Sequence, residues 1–295
     1  MAKFASASKQ AASVMKEIQG RVIQSVGTVR DYESSLRVVA EWAKENKIQG
    51  GLRGMTVADA NRFLEERSKI VNFKTVDQNR QALQAMMHHV THQLDEKERL
   101  DASIRGLSQN LTSRTYTDEQ VKVIASYQTE KNALATLIAH DAGLRASELN
   151  TLRPLEERAP SDRPALPEKF MGRDDVSFYT VHGKGGLVRV VAISNDLAKQ
   201  LESYRLSEPK IIRDRGVNVE KHYDIGGGNA WSASFTRASQ NAFGWSHGGH
   251  GLRHSYAQER MQTLKESGLS DHHAKETVSQ EVGHFRPDIT DTYLR

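Results

Sequence analysis

Apolar residues recur at helical spacing along most of this 295-residue chain, and only one stretch switches clearly to strand-like character. Phe178-Tyr-Thr-Val181 and Leu187-Val-Arg-Val-Val-Ala-Ile193 flank Gly183-Lys-Gly-Gly186. Glycines supply the positive φ angles that a tight turn needs, so the stretch reads as a β-hairpin with Lys184 at its tip. On spacing alone Lys184 is a solvated turn residue. A chain patterned in this way is expected to be mainly α, with a small β-hairpin or sheet.

Before the hairpin the pattern is helical. Residues 5–26 are expected to form one helix with a mixed face. Thr28, Tyr32, Leu36, Val39 and Ala43 fall at spacings of four, four, three and four, which is one apolar helix face. Three glycines between Lys47 and Gly54 break it. Thr56 is a predicted N-cap, followed by a stripe of Val57, Ala60, Phe63 and Leu64. Lys74 to Leu94 is expected to form a third helix, with Val76, Leu83, Met86, Met87 and Val90 facing inward, and a further short helix is expected near Ile104. His88 and His92 would then lie one turn apart, beside His89. No carboxylate accompanies them in register, so surface or phosphate contact is expected and no metal site.

Residues 107–116 are polar and lack periodicity, as a linker does. Thr117-Asp-Glu-Gln120 is a capping-box pattern that opens a new helix. Ile124, Leu134, Leu137 and Ile138 carry its stripe onward. A short helix is expected over Leu144–Leu149, with Arg145 and Glu148 three apart on one face. Pro154, Pro160, Pro164 and Pro167 mark a loop. After the hairpin, helices are expected over Asn195–Tyr204, Trp231–Phe243, from His250 onward, and over Asp271–Val282, with Gly283 as the stop. Asp224-Ile-Gly-Gly-Gly-Asn229 lacks the Lys-Ser/Thr of a phosphate-binding loop, so no nucleotide site is expected. A last turn, Thr290–Leu294, carries Tyr293.

Composition narrows the function classes. There is no cysteine, which excludes disulfides, zinc-thiolate sites and a cysteine nucleophile, and fits a cytoplasmic protein. No run of about 18 apolar residues is present, so no membrane span is expected. Net charge is +4, and the whole excess falls in residues 1–110, which hold 17 Lys+Arg against 13 Asp+Glu. That bias fits a polyanion partner.

Four short motifs give the chemistry an order. Ala142-Gly-Leu-Arg-Ala-Ser-Glu-Leu149, the Gly183-Lys-Gly-Gly186 turn, His250-Gly-Leu-Arg-His-Ser-Tyr-Ala257 and Val282-Gly-His284 with Thr290-Asp-Thr-Tyr293 follow one another along the chain. Together they resemble the tyrosine recombinases of the phage-integrase and Xer type, over most of the sequence. The resemblance implies a helical core-binding, SAM-like DNA-binding domain over residues 1–106, a linker over 107–116 and an α+β catalytic domain over 117–295. It also implies a site-specific recombinase that cleaves and religates DNA through a 3′-phosphotyrosyl intermediate, without cofactor or metal. Tyr293 would be the nucleophile. Arg145 and Arg253 would meet the charge on the phosphate, and His250 would help activate the tyrosine. Lys184 would protonate the leaving oxygen, His284 would hydrogen-bond a non-bridging oxygen, and Glu148 would orient its neighbours.

The implied partner is double-stranded DNA with specific half-sites, gripped by a homotetramer on synapsed DNA, with an accessory protein in some members, in the cytoplasm at the nucleoid. Two other readings share the residues: a type IB topoisomerase-like nicking-closing enzyme, and a non-catalytic DNA-binding module. Two departures stand out. The proline-rich segment 154–175 is longer than the family's usual connection. Only two residues follow Tyr293, where many relatives continue into a tail that docks on a neighbouring subunit.

Overall fold

The computed structural model describes residues 5–100 and 112–294. These form two compact units, Met1–Asn110 and Leu111–Arg295. The short helix expected near Ile104 and the first half of the expected linker lie outside the described residues.

The first unit is helical. It contains α1 (Ala7–Ile18), α2 (Val26–Glu45), α3 (Val57–Ser68) and α4 (Phe73–His89). The helix expected over 5–26 is shorter and ends at Ile18. Gly20 takes a φ of +78° and the chain turns there, since glycine enters the left-handed region without a Cβ penalty. Ser25 then caps α2. Thr56 caps α3 with a complete capping box, its partner being Asp59. Leu36, Val39, Ala43, Phe63, Leu64, Leu83 and Met86 are buried in one shared core, as the stripes predict. α4 is shorter than expected and ends at His89. His92 lies beyond it with a φ of +52°, so the supposed one-turn relation between His88 and His92 does not exist.

The second unit begins with α5 (Asp118–Ser126) and α6 (Glu130–Asp141). The Thr117 capping box forms with Gln120, as read. Tyr116, expected in the linker, is instead buried in this unit's core, where its ring stacks on Trp245 and meets Phe235 edge-on. Residues 142–147 form turns with irregular chain at Leu144 and Arg145, and the expected short helix is a 3-10 turn over Glu148–Thr151. A three-stranded antiparallel sheet follows, in the order β1 (Arg153–Pro154), β2 (Val176–His182), β3 (Val188–Ser194). Register runs from Val176 opposite Ser194 to His182 opposite Val188, so the predicted hairpin is present.

The chain continues through α7 (Asn195–Ser203) into a second antiparallel pair, β4 (Arg205–Asp214) and β5 (Val217–Tyr223). Sequence reading gave no element there. α8 (Gly228–Phe243), α9 (His250–Glu266), α10 (Asp271–Glu281) and α11 (Pro287–Thr290) complete the unit. One apolar core joins α5, α6, α8 and the sheet; a second lies among α9, α10 and the C-terminal turn. Among the described residues no helix is long and apolar enough to cross a membrane.

Candidate active site

Three separate breaks in the chain bring the site residues together. The first follows α6. Gly143 has a φ of +59°, and a Cβ there would lie 2.5 Å from the Tyr256 ring, so both conformation and space require glycine. The turn presents Arg145 and Glu148. The Arg145 backbone N–H donates to Glu148 Oε2 at 2.9 Å, and its Nη1 donates to Oε1 at 2.7 Å. The expected pairing of these two is therefore real, but it is no surface ion pair, because the Glu148 side chain is 0% exposed.

The second break is the start of α9. Arg253, on its first turn, is wholly buried. Its Nη1 donates to the Gly143 carbonyl at 2.6 Å and stands 3.6 Å from Glu148 Oε2; its Nη2 donates to the Val282 carbonyl. His250 opens the helix at the surface. Its ring centroid is 5.8 Å from that of Tyr293 and 5.5 Å from that of His254.

The third break ends α10. Gly283 takes a φ of +73°, and the His284 N–H folds back to the Ser279 carbonyl at 2.8 Å. α11 and the turn after it then return Tyr293 to the same place. Thr290 Oγ1 donates to the Lys275 carbonyl at 3.1 Å, and Gln258 holds the Tyr293 carbonyl at 3.1 Å. The tyrosine is 4% exposed, with the Arg253 guanidinium 5.6 Å from its ring centroid.

One nitrogen joins these parts. His284 Nε2 lies 2.8 Å from the Tyr293 hydroxyl and 3.0 Å from Arg145 Nη2. A guanidinium only donates, so Nε2 is the unprotonated nitrogen of a neutral ring, and its one lone pair is shared between the guanidinium N–H and the Tyr293 hydroxyl. Electrostatics agree. Desolvation, then the charges of Arg253 and Arg145, push the His284 pKa down to about 4. His250 is also held down at about 4, by protein packed against its inner face and then by Arg253. Burial alone would raise Glu148, but Arg189, Arg253 and Arg145 outweigh it and hold the carboxylate at about 2. Burial lowers Arg253 to about 10, against the opposing pull of Glu148. It stays charged at neutral pH.

The structure thus gathers Arg145, Glu148, Arg253, His284 and Tyr293, with His250 at the edge. It leaves Lys184 apart. That side chain is exposed at the hairpin tip and makes no hydrogen bond or ion pair among the described residues. The hairpin base is nonetheless close, since a Cβ on Gly183 would lie 3.6 Å from Glu148 Oε1.

No protein-family model and no curated protein sequence matches this chain. Solved structures do. The XerH site-specific recombinase bound to its palindromic difH substrate, in a post-cleavage complex, is similar at a TM-score of 0.62 with 16% identity, over 98% of this chain and 81% of that one. The fold is that of the tyrosine recombinases. The Tn1549 transposon integrase bound to transposon right-end DNA is similar at a TM-score of 0.57 with 14% identity, over 99% of this chain and 95% of that one. Lambda integrase in a tetramer bound to a Holliday junction is similar at 0.60 with 15% identity, over 97% and 76%. These likenesses span both units of this chain.

Sequence reading missed one member of the cluster, Arg189. It sits on β3, buried on the same face as Val191 and Ile193, with its side chain 2% exposed. Its Nη2 donates to Glu148 Oε2 at 2.7 Å and its Nη1 to the Glu281 carbonyl at 2.6 Å. An arginine at the buried parity of an apolar strand was the available signal.

Proposed function

We propose that the chain is a site-specific DNA recombinase that cuts one strand at a time with Tyr293. The observation that carries this reading is the contact of the Tyr293 hydroxyl with His284 Nε2 at 2.8 Å, beside two guanidiniums. A phenol has a normal pKa near 10 and needs a proton acceptor and nearby cations to attack phosphorus. Both are at hand.

The chemistry runs as follows. A scissile phosphate is bound by Arg145 and Arg253, whose planar forks suit its oxygens. Phosphate oxygens compete with His284 for Arg145 Nη2 and leave the Nε2 lone pair to Tyr293 alone. The Tyr293 oxygen attacks phosphorus and its proton passes to His284. The bond to the 5′ oxygen breaks, and that oxygen takes a proton from Lys184. A 3′-phosphotyrosyl link and a free 5′-hydroxyl result. Attack by a 5′-hydroxyl reverses the step, so no ATP is consumed. Preorganised charge of this kind is usually the largest contribution to phosphoryl transfer. His284 Nε2 lies against the hydroxyl of the nucleophile at 2.8 Å, so its first task in this scheme is to take the proton. His250, 5.8 Å from Tyr293 between ring centroids, meets the phosphate from the solvent side. Glu148 orients Arg145.

DNA half-sites would be held by the basic helical first unit together with the second, and strand exchange would take place in a tetramer. The likeness to integrases solved on DNA, one as a tetramer on a Holliday junction, supports both statements.

The test is a covalent trap. Duplexes taken from the DNA that flanks the gene, nicked beside the cleaved position, let the cut fragment diffuse away and strand the intermediate. A denaturant-resistant adduct is expected from the wild type and none from Tyr293→Phe, with DNA binding unchanged. An adduct of equal yield from the variant would refute the assignment. Strand exchange between two labelled duplexes separates recombination from simple nicking and closing.

A further inference from the structure

Arg189 is the one guanidinium of the cluster that the scheme above leaves unused. It cannot be a phosphate ligand. Both terminal nitrogens are taken, by Glu148 Oε2 and the Glu281 carbonyl, and its side chain is 2% exposed. We infer that Arg189 is a positioning residue that neutralises Glu148 and fixes the turn bearing His284, leaving the charges of Arg145 and Arg253 for the substrate. This inference rests on the reading of the cluster as a phosphodiester-cleaving site.

The charge argument starts from Glu148, the one carboxylate among the described residues that contacts the three guanidiniums of Arg145, Arg189 and Arg253. The cluster therefore carries a net charge of about +2 by simple count, suited to an anion. In a buried setting a carboxylate must be compensated locally. Without Arg189 that compensation falls to Arg145 and Arg253, and the charge facing the phosphate is halved. Arg145 is the more exposed to this, because its Nη1 already sits on Glu148 Oε1 at 2.7 Å.

The geometric argument concerns the end of α10. The last carbonyls of a helix lack intrahelical partners and carry partial negative charge. Here two neighbouring ones are taken by guanidiniums: Glu281 by Arg189 and Val282 by Arg253. The next residue, Gly283, lies against the Arg189 stem, since a Cβ there would come within 2.7 Å of Arg189 Cδ. His284 follows. A single side chain therefore ties the first arginine turn to the turn that aims Nε2 at Arg145 and Tyr293. Glu281 is itself locked on its other side. Its carboxylate accepts from Tyr256 Oη at 2.8 Å, Arg260 Nε at 2.9 Å and the Phe170 backbone N–H at 2.9 Å. The last of these belongs to the long proline-rich segment, which thus braces the same turn.

The test is a double-mutant cycle read by the rate of adduct formation on the nicked flanking duplexes, with DNA affinity and Tm measured beside it. Arg189→Met is expected to slow the adduct by about 100-fold, the scale of losing a preorganised charge, while DNA affinity holds. Arg189→Lys, which keeps charge but spans only one of the two ties, is expected to recover part of the rate. Adding Glu148→Gln to Arg189→Met is expected to recover about tenfold, because the uncompensated carboxylate is gone. A purely structural role would give no such recovery. Arg189→Met at the wild-type rate, or a double variant no faster than Arg189→Met, overturns the inference. If Arg189→Met does not fold, Arg189→Lys is compared with Arg189→Lys plus Glu148→Gln in the same way, and a pair no faster than Arg189→Lys overturns the inference. A wild type that forms no adduct on any duplex overturns the reading of the site and this inference with it; a reactive wild type keeps the two failures distinct.

Discussion

The two units bury different things. In the first, the buried polar residues among those described are Ser35 and Asn79, and the rest of the core is apolar. In the second, Glu148, Arg189, Arg253, Arg260 and Glu281 are all buried. Apolar burial stabilises without direction, at roughly 25 cal/mol per Å². Buried charge costs desolvation and is held only when every partner is in place. The first unit thus has the physics of a stable shape, and the second that of a site where cations are fixed before substrate arrives. The contrast separates two kinds of burial within one mainly helical chain.

The contrast can be broken most severely at Arg253. Arg253→Met removes the proposed phosphate ligand and strips a partner from Glu148 and from the Gly143 and Val282 carbonyls. Adduct formation is expected to fall by about 1,000-fold or more, and the second unit to lose about 2–5 kcal/mol, because two carbonyls are left without their guanidinium donors at about 1–3 kcal/mol each. Trapping assays and denaturant melts measure the two. In the first unit, Leu36→Ala at a fully buried position is expected to cost about 2–5 kcal/mol through the cavity it leaves. Its urea melt is expected to show no added pH dependence.

Acid sharpens the same comparison. His250 and His284 have pKa values below the usual histidine value, so between about pH 6.5 and pH 4 the unfolded chain binds protons that the folded chain does not. Stability is therefore lost as pH falls through that window. Glu148, held at about 2, acts in the same direction between its ordinary value and 2. Segment-resolved hydrogen exchange should show the second unit loosening on acidification while α1–α4 keep their protection, and His284→Gln should flatten the upper part of the loss. The smallest effect is expected at a cap. Thr56→Ala removes the capping box with Asp59 and should cost about 1 kcal/mol, read as a small shift in the melt of the first unit.

Much of this was legible in the sequence, for identifiable reasons. Helices with a continuous apolar stripe, such as the one holding Leu36 and Val39, were found because tertiary burial and local period agree. Capping at Thr56 and Thr117 was legible because it needs only local chemistry. The hairpin around Lys184 was found because turn glycines and β-branched runs coincide. The β4–β5 pair was not. Ile211 is 69% exposed there and Val217 47%, so no face alternates cleanly, and Pro209 argues against a strand. The end of α1 at Ile18 was missed because a lone glycine such as Gly20 is tolerated in helices and its positive φ is invisible in sequence.

At the site, residue types and order pointed to Arg145, Glu148, Arg253, His284 and Tyr293. What order could not show is that one imidazole nitrogen meets both the Tyr293 hydroxyl and an arginine. Nor could it show that Glu148 is wholly buried, or that Arg189 completes its shell. Those facts depend on three turns converging across more than a hundred residues of chain.

The most direct measurement is to find the atom that carries the DNA. The trapped adduct would be digested with protease and nuclease and its peptides sequenced by mass spectrometry. A nucleotide joined through its 3′-phosphate to Tyr293 is the predicted result. A nucleotide on any other residue, with Tyr293 recovered unmodified, would contradict the account.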